Sequence, residues 1–353
     1  MRRSLFILVL LAGSSGCAGD TTTDDAARQP APVAPAPEPA ATRRVAHGDG
    51  VNPRLLRRFK PLRTSFETND SNQKVDLGRM LFFDTRLSRD RDLSCNSCHQ
   101  LDAYGVDHHA TSTGAIGQLG RRNSPSVYHA AGAFTNFWDG RAPTVEEQAK
   151  GPIVNPAEMA ATSTAVVETL RHIPGYVAAF KTAFPSAPEI TYDKVGEAIG
   201  AFERKLVTPS RWDRYLNGDL SALTAKEISG LKVFTDAGCI TCHTGELVGD
   251  SMFQRVGIVV PWPNQKDHGR MEFTKLATDD MVFKVPSLRN VAKTAPYFHD
   301  GSVATLPEAV RMMARHQIGE ELSDEDVNAI VAWLDALTGE LPAAYIKMPA
   351  LPE

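Results

Sequence analysis

Four of the five cysteines in this 353-residue chain fall in two Cys-x-x-Cys-His runs. They read Cys95-Asn96-Ser97-Cys98-His99 and Cys239-Ile240-Thr241-Cys242-His243. Two thiols three residues apart on one helical turn reach the two vinyl groups along one porphyrin edge, and the next residue aims an imidazole at the iron. That spacing is the attachment signature of c-type haem. Half of a zinc site and a redox dithiol are the competing readings of a lone Cys-x-x-Cys. A structural zinc site draws four ligands from both runs together, whereas each run here carries its own histidine. Two runs in an exported chain favour two covalently held haem c groups, and so redox chemistry.

Export is read from the start of the chain. Met1-Arg2-Arg3 is positively charged, and Leu5 to Ala12 is an apolar core too short to span a bilayer. Ser14-Ser15-Gly16-Cys17 resembles a lipoprotein cleavage site, with Ser14 where Leu is usual and plain secretory cleavage as the alternative. Ala18 in place of Asp favours the outer membrane. The expectation is a periplasmic protein anchored by lipid at Cys17. It leaves no cysteine for a disulfide even in an oxidising compartment. Residues 18–50 are rich in Pro and Ala and favour polyproline II, a tether of roughly 60–90 Å at ~3.1 Å per residue. Nothing later is apolar for long enough to cross a membrane. A net charge of −4 argues against nucleic acid as a partner.

The elements that must position the two runs are helical. Thr224-x-x-Glu227 is a capping box opening a helix that delivers the chain to Cys239. Thr305-x-x-Glu308 and Ser323-x-x-Asp326 open two more, the latter with Val327, Ile330, Val331, Leu334 and Leu337 at helical spacing. Thr144-x-x-Glu147 starts a short helix bearing Gln148, and Tyr192 to Leu206 reads as a longer one. Few stretches alternate at strand period. The expected fold is mostly α, with two cytochrome c-like haem domains packed against each other. Residues 51–207 form the first domain and 208–340 the second, with the tail 341–353 returning to the first.

The residues around the two runs carry a resemblance. Leu81-Phe82-Phe83-Asp84, Arg122-Asn123-Ser124-Pro125, Phe137-Trp138-Asp139-Gly140-Arg141-Ala142 and Glu147 to Pro152 flank the first run. Pro286 to Val291 and Thr294-Ala295-Pro296-Tyr297-Phe298-His299-Asp300-Gly301 follow the second. In this order, over roughly residues 54–345, the chain resembles the bacterial dihaem cytochrome c peroxidases. The resemblance implies a peroxidatic haem on His99 and an electron-transfer haem on His243. Met313 falls where the family places the second ligand of the latter iron; a thioether opposite His raises the potential. On spacing alone Met313 reads as core filling beside Met312.

The resemblance further implies that Glu158, in Asn155-Pro156-Ala157-Glu158, is the acid–base group, and that Gln148 is a second residue on the peroxide side. Read alone, both are surface polar residues. Trp138 matches the tryptophan lying between the haems; otherwise it is a large core aromatic, and the two roles are compatible. Asn123 and the backbone carbonyls of Thr294 and Pro296 match a calcium site between the domains, where oxygen ligands are required. Many family members carry a histidine in the loop before Arg-Asn-Ser-Pro that blocks the peroxidatic iron until the other haem is reduced. Here Ala115 stands in its place, in Thr111-Ser112-Thr113-Gly114-Ala115-Ile116-Gly117-Gln118. Alanine ligates nothing, so the expectation is a haem that is open without reductive activation. His108 and His109 are the substitute ligands on offer.

Three functions follow as expectations. The first is reduction of hydrogen peroxide to water with electrons from a small periplasmic cytochrome c or cupredoxin, in a monomer or homodimer. The second is a MauG-like oxidation of a partner protein, which Ala115 echoes. There the family carries Tyr at the position of Met313. The third is a non-enzymatic dihaem electron carrier, which would have no need of Glu158 or Gln148.

Overall fold

The computed structural model describes residues 51–66 and 69–353. The leader, Cys17 and the 18–50 tether lie outside the described residues. The rest is mostly helical, as its caps and periodicity predict. Helix α1 (Asn72–Phe83) starts at Ser71, whose Oγ accepts from the Lys74 N–H at 3.2 Å. It buries Leu77, Leu81 and Phe82 against α5 (Tyr192–Glu203). Between them in sequence come α2 (Val145–Val154), α3 (Ser163–Arg171) and α4 (Pro174–Ala183). Side chains of this set form the first core, with Ile153, Leu170, Tyr176, Phe180 and Phe202 inaccessible to water. Each such side chain contributes about 1.5–3 kcal/mol relative to exposure.

The second core repeats the scheme. After the short α6 (Arg211–Leu216), α7 (Ala225–Asp236) opens on the Thr224/Glu227 capping box. Helix α8 (Leu306–Met313) follows, capped by Thr305, and then α9 (Asp324–Asp335), capped by Ser323. Helices α7 and α9 bury Leu231, Val233, Val327 and Trp333 against each other. A two-stranded antiparallel ribbon, β1 (Phe253–Arg255) with β2 (Val282–Lys284), pairs Gln254 with Phe283.

Both core pairs cross at a glycine. A Cβ on Gly78 would sit 1.7 Å from the Ala198 carbonyl oxygen, and one on Gly230 would sit 1.8 Å from that of Ala329. Only a residue without a side chain permits either approach.

The chain ends cross over. Residues 51–59, grouped with the first haem unit on sequence, pack instead into the second core, and Leu62 joins Phe66, Val207 and Leu247 in a small third cluster. Phe59 sits 5.3 Å from the Trp212 ring, and Lys60 N–H donates to the Gly245 carbonyl. The tail lies on the first core, where Ile346 is buried and the Tyr345 hydroxyl donates to the Phe202 carbonyl at 2.7 Å. Arg86 and Arg79 hold the Pro352 and Lys347 carbonyls.

The seam between the two cores is polar and paired. Arg122 bonds Asp139 and Asp267, each at 2.6 Å, and buried His129 accepts the Thr208 N–H at 3.1 Å. Such charge-assisted pairs add geometric specificity where two packed bodies meet.

Candidate haem and peroxide site

Cys95–Cys98 forms one helical turn after Ser94, whose N–H is held by Ser97 Oγ at 3.0 Å, and the His99 N–H closes the turn on the Cys95 carbonyl. The chain then reverses through Tyr104 and Gly105, both at positive φ, which brings the Gly105 carbonyl to 3.3 Å from His99 Nδ1. The second run repeats the arrangement, with His243 Nδ1 3.2 Å from the Val248 carbonyl. An imidazole that donates from Nδ1 to a carbonyl keeps its Nε2 lone pair free and fixed in direction, as a metal ligand requires. Burial depresses both imidazoles, His243 to about 4, so they stay neutral and competent to ligate.

The four described cysteines are unpaired and partly buried, and burial pushes their thiols upward for Cys95, Cys98 and Cys239. Among the described residues no cluster of three or more His, Cys, Asp or Glu is poised to hold a metal ion, so the two runs are not gathered into one zinc site. The residues fit two separate haem groups. In addition, His299 Nε2 at the seam is buried with no hydrogen-bond partner among the described residues, a polar atom that the protein itself does not satisfy.

Glu158 lies on the first run's side of the molecule, close enough for its charge to bear on the Cys98 thiol. It closes a turn begun by Asn155. The Ala157 N–H donates to Asn155 Oδ1 at 3.0 Å, an Asx turn, and Asn155 Nδ2 donates back to Glu158 Oε1 at 2.7 Å. Burial raises the Glu158 carboxyl above the ordinary range, opposed by the Arg141 guanidinium and the Asn155 hydrogen bond. Gln148 lies half-buried one turn into α2, four residues before Pro152, which has no N–H to offer its carbonyl.

Ala115 is 2% exposed, and its N–H donates to the Glu158 carbonyl at 2.7 Å. The two histidines upstream face elsewhere. His108 is exposed with Nδ1 2.9 Å from the Ala295 carbonyl, and His109 is exposed beside Asp107.

At the seam, Trp138 Nε1 donates to the Asn123 carbonyl at 2.8 Å, and its ring meets His299 edge-on at 6.4 Å. Asn123 is buried; its own N–H donates to the His299 carbonyl, and its side-chain amide donates to that of His109. His108 and His109 thus tie Asn123 to the segment Thr294–Pro296, which turns on a cis Ala295–Pro296 bond. Met313 ends α8 half-buried and outside the apolar core, whereas Met312 packs into it.

Four groups at these sites escaped the sequence reading. Ser112 bears on the Cys98 thiol, and the Arg141 charge bears on Glu158; the partners of each pair lie far apart in sequence and leave no local pattern. Asn155 was readable, because Asn two residues before a small residue is an Asx-turn signal. Glu203 was readable too. It falls four residues after Ile199 on the apolar face of α5, where it is 3% exposed with Oε2 unpartnered.

The chain matches the family model for di-haem cytochrome c peroxidase over residues 72–221 and that for cytochrome c over residues 228–338. It is 44% identical to the cytochrome c551 peroxidase of Nitrosomonas europaea, covering 81% of this chain and 85% of that protein. It is likewise 44% identical to the cytochrome c551 peroxidase of Pseudomonas aeruginosa, covering 87% and 91%. Among solved structures, a MauG-like protein associated with microbial copper homeostasis superposes with a TM-score of 0.71 at 30% identity, over 82% of this chain and 96% of that one.

Proposed function

Because the chain belongs to the di-haem cytochrome c peroxidase family, it is a peroxidase-type oxidoreductase with two haem c groups, and we propose that it reduces hydrogen peroxide to water at the His99 haem. The haems, when bound, supply the iron coordination position for peroxide and the two electrons its reduction consumes. The chain supplies the rest. Cys95, Cys98 and His99 hold the peroxidatic group, and Cys239, Cys242, His243 and Met313 hold the electron-transfer group. Electrons come from a small periplasmic cytochrome c or cupredoxin and pass the Trp138 ring.

The observation that carries this reading is the setting of Glu158. A carboxylate that takes the proton from one peroxide oxygen and returns it to the departing one must be buried, oriented and only moderately acidic. Asn155 orients Glu158, burial raises it, and its charge reaches the first attachment turn. Gln148, on α2, is proposed to offer a further hydrogen bond to bound peroxide. No step asks another side chain to carry the proton.

Ala115 supports a site that is open in the fully oxidised protein. The loop that carries a blocking histidine in other members presents a buried methyl group here, and His108 and His109 are engaged elsewhere. Asn123, Thr294 and Pro296 are proposed to hold one calcium ion through oxygen atoms, clipping the two halves together. Attachment through lipid at Cys17 is also proposed, from the leader sequence; no described helix is long and apolar enough to cross a membrane.

A MauG-like oxidation of a partner protein is the second reading. Ala115 favours it, and Met313 opposes it by providing a high-potential reservoir instead. Steady-state peroxide turnover with a reduced cytochrome c tests the first. Glu158→Gln is expected to lower kcat/KM for peroxide by about 10²–10³; full turnover in that variant would remove Glu158 from the mechanism.

A further inference from the structure

The loop from Ser112 to Gly120 is built more tightly than a connection between two motifs requires. Thr113 and Leu119 pair as an antiparallel bridge, and the Gly120 N–H donates to the Ser112 carbonyl at 2.9 Å. At the tip, Gly114 N–H donates to the Gln118 carbonyl at 2.7 Å, and Gln118 N–H donates to Ala115 at 3.1 Å. Ile116 adopts φ 51, ψ 30 and is 72% exposed. A β-branched side chain is disfavoured in the left-handed region. Such a conformation is held by its surroundings, not preferred by the residue.

What holds the tip is the turn that carries Glu158. The Ala115 N–H donates to the Glu158 carbonyl at 2.7 Å. Gly114 lies against the preceding peptide so closely that a Cβ would fall 2.0 Å from the Ala157 oxygen and 2.8 Å from Glu158 Cα. At its base the loop is fixed by Ser112 Oγ, 2.7 Å from Ser124 Oγ and near enough to bear on Cys98. One short loop therefore spans from the haem-attachment turn to the backbone of the carboxylate.

We propose that this loop is a strap that positions Glu158, with Gly114 and Ala115 as its positioning residues. The inference rests on the reading of Glu158 as the proton shuttle. Asn155 fixes the carboxylate tip through Oε1, but the tip is only as well placed as the backbone that bears it. The strap supplies that second restraint by clamping the Ala157–Glu158 peptide between a hydrogen bond and a bare Cα. Misplacement of a reacting group by about 1 Å costs up to ~10² in rate.

A double-mutant cycle on the haem-loaded protein tests the proposal. Gly114→Ala is expected to lower kcat/KM for peroxide about 10-fold or more, with the absorption and paramagnetic resonance spectra of both ferric haems unchanged. In a Glu158→Gln background the same substitution is expected to change kcat/KM by less than about 2-fold, because the group it displaces is already disabled. Equal losses in both backgrounds overturn the strap, as does a Gly114→Ala variant that retains full turnover. Full turnover by Glu158→Gln alone overturns the shuttle itself, a different result. Hydrogen exchange on the unmodified protein covers the case in which Gly114→Ala does not fold. The Ala115 amide is expected to be protected like core helix amides; exchange at the rate of an exposed loop overturns the strap.

Discussion

A carboxyl group that first takes a proton and then returns it works best when its pKa approaches the working pH. Burial moves Glu158 in that direction, while Arg141 and Asn155 restrain it. The base form is the one that accepts the peroxide proton. Thus kcat/KM for peroxide is expected to hold at neutral pH and to fall as pH drops through a pKa above the ordinary carboxylate range. Glu158→Gln should lack that limb; an identical limb in the variant contradicts the assignment.

Glu203 tests burial without catalysis. With no partner for Oε2, its carboxyl is pushed up to about 8 from 4.5 and stays protonated in the fold. Its contribution to stability is complete below the unfolded pKa and is lost as pH rises toward the folded value. Wild type is therefore expected to lose thermal stability relative to Glu203→Gln between about pH 4.5 and 8. A constant difference between the two melting curves across that window contradicts the burial account. At this scale the two Cys-x-x-Cys-His runs, and with them two haem c groups, were legible from spacing, because covalent attachment imposes a rigid pattern, whereas Met313 was read only through the resemblance. Arg141 and Ser112 were not, since their partners lie far along the chain.

The helices form where their caps predict them, since a cap is a local contract between residues three apart. Thr224, Thr305 and Ser323 each accept from the backbone N–H three residues on, and Tyr192 opens α5 as expected. What the caps do not encode is how two helices meet. Gly78 and Gly230 decide that, each setting a helix backbone against the carbonyl of its partner. Gly78→Ala and Gly230→Ala are each expected to cost about 1–3 kcal/mol by overpacking, read as a melting temperature lower by several degrees. An unchanged melting temperature in either variant would show that the crossing is not as tight as the backbone contact indicates. The position of residues 51–59 was also beyond sequence reading. Phe59 is an ordinary apolar residue whose address in the second core depends on tertiary contact with Trp212 and Trp333.

At the scale of the whole molecule, each end of the described chain is bound to the half farther from it in sequence. The 51–59 segment packs into the second core and the tail into the first. Between the halves, Trp138, Asn123 and His299 form one hydrogen-bonded and aromatic seam beside the Arg122 ion pairs. This arrangement gives the two haem-attachment runs a fixed relation, and the function proposed above takes electrons in on the His243 side and uses them on the His99 side. In the function proposed above, Ala115 would leave the His99 haem open and Met313 would close the other. Electron paramagnetic resonance of the fully oxidised, haem-loaded protein tests this most directly. The account predicts one high-spin ferric signal that is lost on adding peroxide, beside one low-spin signal. Two low-spin signals with no high-spin component would contradict it.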